Sequence, residues 1–390
     1  MTERDWKTRL VQPRVEVPAG FRSLATPVYR GSTTLFERAA EVRDHWDQRR
    51  TPYSYGLYGT PTTLELAARV ADLEGGGHTF LTPGGQAAIS LVYLAFAGAG
   101  THVLVPDSAY GPNRELADRV LARLGIETEY YDPLIGGGIA SLLRPNTRLV
   151  WCESPGSVTM EVQDVPAIAS AARRAGAVTA IDNTYAAGVL FDAFAHGVDV
   201  TLQALTKYVG GHSDLLLGSV TVRDEALYQR LGDTHQLLGM GVSPDDCSLA
   251  LRGLQTLAVR LRVLEENTLA VASWLEARPE IERVLHPAFP SSPGHELWKR
   301  DFTGSASVFS VVFAPEVGEE AILRCVDALE LFPLGYSWGG VTSLAMPFFD
   351  LARRWRAYGR RLVRFNVGLE DAGDLVRDLE RAFASLHASP

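Results

Sequence analysis

From about residue 62 onward the chain alternates short apolar runs with longer stretches whose apolar residues recur at helical spacing. Residues 63–74 have a helical period and stop at Gly75-Gly-Gly77. Short apolar runs at 102–106, 149–153, 178–182 and 199–205 read as buried strands. Helical segments such as 113–124 and 165–175 lie between them. Such alternation predicts an α/β fold, a mostly parallel sheet with helices on both faces. Residues 87–98 form the longest apolar stretch, too short to span a bilayer, and predict a buried helix. A long helical stretch at 249–276 is expected to bridge this part to a smaller α/β layer. That layer has strands at 307–313 and 362–367 and helices at 319–329 and 371–386. The first sixty residues differ, with scattered Pro, Gly and Arg and little periodicity. They predict an arm over 1–61 that packs on the body or on another subunit, ahead of domains at 62–255 and 256–390.

Composition agrees with this division. A chain of 390 residues exceeds one ordinary core. Its 46% hydrophobic and 21% charged content is that of a soluble globular protein. The formal net charge of −9 argues against nucleic acid as the main partner. Cys152, Cys247 and Cys325 are odd in number and far apart. They offer neither a disulfide framework nor a metal spacing, which fits a reducing cytosol. The N-terminus mixes both charges with no apolar core behind it, so no signal peptide is expected and a cytoplasmic location follows. The nine histidines show no ligand spacing; no metal is expected, and His212 reads as a turn residue.

In open α/β sheets ligands bind beyond the carboxyl ends of the strands. Asp182 and Lys207 fall at such ends, and Tyr110 lies a few residues beyond Pro106. The chain's lysines are Lys7, Lys207 and Lys299, among 37 basic residues, so its ordinary surface cation is arginine. A lysine closing a buried strand before a Gly-rich turn points to chemistry that arginine cannot do, deprotonation and condensation with a carbonyl. Taken alone, a lysine snorkelling from a strand end explains it better. Thr82-Pro-Gly-Gly85-Gln86 opens the apolar helix, and free N–H groups there suit a phosphate. A glycine pair also serves an ordinary strand-to-helix turn. Asp182 would keep a pyridine nitrogen protonated, or cap the next turn. Tyr110 would stack on a ring or relay a proton, or be a plain loop aromatic. A phosphate cup, an acid for a ring nitrogen, an aromatic and a lysine together make the combination that holds pyridoxal phosphate.

At this point a resemblance covers nearly the whole chain. The blocks Tyr55-Gly-x-x-Gly59-Thr-Pro-Thr62, Glu153-Ser-Pro-Gly-Ser-Val-Thr-Met-Glu161, Ile181-Asp-Asn-Thr184 and Thr206-Lys-Tyr-Val-Gly-Gly-His-Ser-Asp214 carry it. So do Gly294-His-Glu-Leu-Trp-Lys-Arg-Asp-Phe-Thr303, Tyr336-Ser-Trp-Gly-Gly340 and Arg364-Phe-Asn-Val-Gly-Leu-Glu370. The sequence resembles the Cys/Met-metabolism family of fold-type I pyridoxal-phosphate enzymes, and within it the cystathionine β-lyases.

The resemblance implies pyridoxal 5′-phosphate in the 62–255 domain, with Lys207 as the Schiff-base lysine and Asp182 on the pyridine nitrogen. Tyr110 would stack on the ring and assist proton transfer. Gly85, Gln86 and Thr206 would hold the phosphate, and Thr184 would belong to the same cofactor shell. Tyr55 would reach the phosphate of a neighbouring subunit, so a homodimer or homotetramer with shared sites is implied. Arg364 would clamp the α-carboxylate of an amino-acid substrate, with Tyr336, Ser337 and Trp338 lining that pocket. A Trp at 338 is associated in the family with β-lyases, so the implied reaction is β-elimination from L-cystathionine to homocysteine, pyruvate and ammonia. The alternatives are a β-lyase for another cysteine S-conjugate, a γ-lyase or γ-synthase, or a catalytically silent regulator. One position departs from the family. Leu57 stands where members commonly have an arginine that meets the neighbour's phosphate, a loss of roughly 1.5–3 kcal/mol if uncompensated.

Overall fold

The computed structural model describes residues 5–12, 20, 23–48 and 53–387. Parts of the expected arm, including Pro52 and the charged N-terminus before Asp5, lie outside the described residues. Seven strands form the larger sheet: β1 (His78–Thr82), β2 (His102–Pro106), β3 (Glu127–Tyr131), β4 (Thr147–Glu153), β5 (Val178–Asp182), β6 (Val200–Gln203) and β7 (Gly218–Val222). Their spatial order is β1-β7-β6-β5-β4-β2-β3. Strands β2 to β6 are mutually parallel, while β7 runs antiparallel to both β1 and β6. The expected mostly parallel sheet is present.

Both faces of this sheet are buried, and that explains why its strands read as continuous apolar runs. Along β4, Leu149 and Trp151 join the core under the helices Gly85–Phe96 and Glu225–Leu237. Val150 and Cys152, between them, join the opposite core under Pro61–Leu73, Val165–Arg174 and Pro244–Glu276. The helix Pro61–Leu73 starts on a reciprocal Thr60–Thr63 cap with proline in its first turn.

The long helix Pro244–Glu276 begins in the core of the first sheet, with Cys247 and Leu254, and ends in a second core with Val271 and Leu275. There it meets a four-stranded antiparallel sheet of β8 (Ile281–Leu285), β9 (Val308–Phe313), β10 (Leu344–Pro347) and β11 (Leu362–Asn366), in the order β10-β11-β9-β8. Helices Glu319–Asp327 and Ala372–Ala384 cover it.

Two expectations need correction. The 113–124 helix is an α-helix only over Gly111–Leu116, followed by a π turn at Ala117–Leu121 and a 3-10 turn at Ala122–Leu124. No glycine or proline between Pro112 and Gly125 marks that change, so periodicity alone misses it. The strand expected at 199–205 stops at Gln203. Ala204 and Leu205 leave the ladder so that the Lys207 N–H reaches the Ala204 carbonyl (3.0 Å), turning the lysine out of the sheet edge.

The described part of the arm packs on its own body. The Trp46 indole N–H donates to Asp233 at 2.8 Å, with its ring against Gly232, where no side chain would fit. The Tyr29 N–H donates to Thr62 Oγ1 (2.8 Å), and Arg30 Nε to Asp245 (2.8 Å). Among the described residues no helix is long and apolar enough to cross a membrane.

Candidate active site

Parallel strands all present their carboxyl ends at one edge, and β4, β5 and β6 deliver Glu153, Asp182 and the turn bearing Lys207 there. A cavity of about 340 Å³ opens at this edge. Its walls bring together Gly85, Gln86, Tyr110, Asp182, Thr184, Thr206, Lys207, Trp338 and Arg364, residues spread over most of the chain.

Lys207 Nζ donates to Ser337 Oγ (2.7 Å) and stands 5.5 Å from the Trp338 ring centre. Burial, reinforced by the charge of Arg364 and opposed by Asp182, pulls the ammonium pKa down to about 8. Arg364 rises from β11, 8% exposed, and donates from Nη2 to the Ser337 carbonyl (3.0 Å). Its guanidinium lies 4.8 Å from the Phe348 ring centre. No described carboxylate pairs with it, and burial lowers its pKa to about 10. Ser337 thus contacts both cations, and it does so at φ +80°, a conformation costly for a residue with a side chain. Val158, in the same pocket wall, also has a left-handed φ, +69°. Strain of this kind gathers where geometry is being enforced.

Asp182 Oδ1 accepts the Thr184 N–H (3.0 Å) and hydroxyl (2.5 Å). Its other oxygen has no hydrogen-bond partner among the described residues. Burial raises the pKa of this carboxyl, and the two Thr184 bonds oppose the shift. The Tyr110 ring is 43% exposed and lines the pocket, while its N–H donates to Glu153 Oε2 (2.9 Å). At the other end of the cavity the helix Gly85–Phe96 starts without a side-chain cap. A Cβ on Gly85 would sit 2.7 Å from that of Ala204, so only glycine lets the helix start approach the lysine-bearing turn. Gln86 Oε1 is buried without a partner among the described residues.

These features fit pyridoxal phosphate. The uncapped helix start would take the phosphate, Asp182 has one oxygen left for the ring nitrogen, and the Lys207 amine is held near neutrality. The Thr206 hydroxyl is engaged with the Leu217 backbone, both donating to its carbonyl and accepting from its N–H at 3.1 Å, so it lines the site without being free. Tyr336, expected to line the pocket, is 75% exposed and not part of the cavity wall, and Tyr55 likewise lies outside its own chain's cavity. Glu153 had no role assigned from the sequence. It ends an apolar strand in direct register with Asp182, so the reasoning that singled out Asp182 applies to it equally.

The profile of the Cys/Met metabolism PLP-dependent enzyme family matches residues 7–384. The chain belongs to this family. As a member, it is an enzyme of pyridoxal phosphate. It is similar to a putative cystathionine beta-lyase of Rhizobium johnstonii, 46% identical over 93% of this chain and 91% of that one. Cystathionine beta-lyase MetC of Escherichia coli is 40% identical over 99% and 100% of the two chains. Among solved structures, the cystathionine gamma synthase of Xanthomonas oryzae superposes with a TM-score of 0.92 at 30% identity, covering 100% of both chains. This fold therefore carries more than one reaction within the family.

The pKa of Lys207 gives a pH dependence. Between pH 8 and 10.5 the unfolded chain keeps a proton on this amine that the folded chain has shed, so the group's contribution to stability rises across that window. The neutral amine is also the form that captures an aldehyde. Uptake of pyridoxal phosphate by cofactor-free protein, followed by its yellow absorbance, is expected to accelerate with pH and level off near 8. A rise continuing to 10.5 would show Lys207 to be unperturbed.

Proposed function

We infer that the chain is a carbon–sulfur lyase cleaving L-cystathionine by β-elimination to homocysteine, pyruvate and ammonia. One observation carries this reading: Ser337 bridges the Lys207 amine, its pKa lowered to about 8, and the Arg364 guanidinium, which has no carboxylate partner among the described residues, with Trp338 alongside. The names of the relatives from Rhizobium and Escherichia support it. Arg364 would grip the α-carboxylate in a bidentate fork and so orient the α-carbon. Lys207, in its neutral form, would take the α-proton and return a proton to the departing sulfur. The Lys207–Ser337 bond keeps that amine beside the carboxylate site. Asp182 would hold a proton at the ring nitrogen, fixed for this by Thr184. Tyr110 would cover the ring and assist the proton transfer. When bound, pyridoxal phosphate supplies the electron sink that makes the α-proton removable.

The division into an arm over 1–61, a cofactor domain over 62–255 and a C-terminal domain over 256–390 belongs to the same proposal, with Pro244–Glu276 as the bridge. Tyr55, 46% exposed outside its own cavity, would complete a neighbour's site in a homodimer or homotetramer. The three cysteines are free and buried, in keeping with a cytoplasmic location.

A second reading has its own observation. Leu57 turns against Gly241, and the described cavity wall holds no cation besides Lys207 and Arg364. A cysteine thioether with an uncharged sulfur substituent would suit that wall as well as the zwitterionic tail of cystathionine. A product assay on cystathionine and S-benzyl-L-cysteine separates the cases. Pyruvate with homocysteine is the expected result; 2-oxobutyrate with cysteine would make the chain a γ-lyase. Pyruvate from the benzyl compound alone would select the second reading. Sedimentation of the same samples should place all activity in dimers or larger, and an active monomer would remove the shared site.

A further inference from the structure

Tyr110 sits on a turn of the large sheet, whereas Arg364 comes from the C-terminal sheet, and both face one cavity. Something must hold the two sheets in register at this point. The segment between β10 and β11 runs across it. At its start Phe348 packs on the Arg364 guanidinium. Five residues on, Arg353, 9% exposed, donates from Nη2 to the carbonyls of Ser157 (3.1 Å), Ala109 (3.2 Å) and Ser108 (3.5 Å). Those carbonyls belong to the two turns that flank Tyr110 in space. The turns are also tied directly, the Ser157 N–H donating to the Ser108 carbonyl at 2.8 Å.

The neighbouring residues repeat the pattern. Asp107 Oδ2 accepts the N–H of Arg354 (2.7 Å), and Oδ1 accepts Arg114 (2.8 Å). Arg114 reaches back to the Ala352 carbonyl at 3.4 Å. Arg353 makes no direct ion pair among the described residues; the charges of Glu161, Asp107 and Glu153 face it from around the turn, and that of Arg114 opposes them. A buried guanidinium serving three carbonyls is an expensive choice unless it fixes their arrangement. All three contacts are made by one nitrogen, Nη2, while Nε is buried without a hydrogen-bond partner among the described residues, so the position of that single nitrogen between the two turns is what matters.

We propose that Arg353 is a positioning residue, locking the Tyr110 turn to the segment that leads into Arg364 so that ring and guanidinium stay in register across the cavity. The proposal rests on the reading of this cavity as the cofactor and substrate site. It acts through Tyr110, so its loss should alter how the bound cofactor is held and not only how stable the protein is.

The test uses holoenzyme carrying R353M, R353K or R356Q. Arg356 anchors the same segment through Asp132 (2.9 Å), has no hydrogen bond to Ser108, Ala109 or Ser157 among the described residues, and serves as the control. For R353M, kcat with L-cystathionine should fall by up to about 100-fold, as a misplacement of about 1 Å allows, with a changed visible circular dichroism of the cofactor. R353K should recover part of both, and R356Q should lower Tm while leaving kcat and dichroism as in the wild type. Should R353M fail to fold, R353K decides, since wild-type kcat and dichroism in that variant would overturn the proposal. The same holds if R353M loses only Tm. Wild-type protein that takes up no cofactor would instead overturn the reading of the cavity, a result visible before any variant is made.

Discussion

Lys207→Ala is expected to lower pyruvate release by at least about 10⁴-fold, because in the proposed reaction this one residue would both take the α-proton and deliver a proton to sulfur, and each such role is worth about 10²–10⁴. Lys207→Arg should be equally inactive. A guanidinium does not deprotonate near neutral pH, and it would stand beside Arg364, which has no carboxylate partner among the described residues. Borohydride reduction of the wild type followed by peptide mapping should place the cofactor's mass on the peptide containing Lys207, and in Lys207→Ala on no peptide. Turnover by Lys207→Ala within tenfold of wild type would remove this residue from the chemistry. It would also revive the alternative of a protein that keeps the fold for regulation.

For Arg364→Met the expected result has two halves of opposite sign. kcat/KM should drop by about 10²–10⁴-fold, since a buried charge-assisted contact to a carboxylate is worth roughly 3–5 kcal/mol when one partner is removed. Thermal stability should hold or rise, because the resting protein buries this guanidinium with no described carboxylate to offset its desolvation. A variant that loses activity and Tm together would mean that Arg364 is chiefly structural. Melting curves of the cofactor-free proteins separate these outcomes. Among the described residues, the Ser337 carbonyl, which accepts from Arg364 Nη2, is the hydrogen-bond partner that the substitution leaves unmet.

Much of the large sheet was legible in the sequence because strands buried on both faces are apolar throughout. The runs at 102–106 and 178–182 coincide with β2 and β5. Strands with mixed composition were less visible. β3 reads Glu-Thr-Glu-Tyr-Tyr and β8 reads Ile-Glu-Arg-Val-Leu, each exposing residues to solvent, so no continuous apolar run announces them. The break from α-helix to π turn after Leu116 carries no glycine or proline signal at all.

The candidate site divides in the same way. Lys207 and Asp182 stood out by local chemistry, a rare amine and a carboxylate each closing an apolar strand. Arg364 is one of many arginines and was legible only through the resemblance of its block to the family. Glu153 and Arg353 were not singled out. The sequence by itself determined the α/β class, the sheet edge where chemistry gathers, the family and its cofactor, since these follow from local composition and contiguous motifs. Only the tertiary structure decided which distant groups meet. Ser337 lies 130 residues from Lys207 in the chain, and Arg353 lies 244 residues from the Ala109 carbonyl. No local pattern encodes such a contact, because it depends on how two sheets pack across one helix. The pKa of Lys207 depends on it too, being set by the burial and the Arg364 charge that this packing brings together.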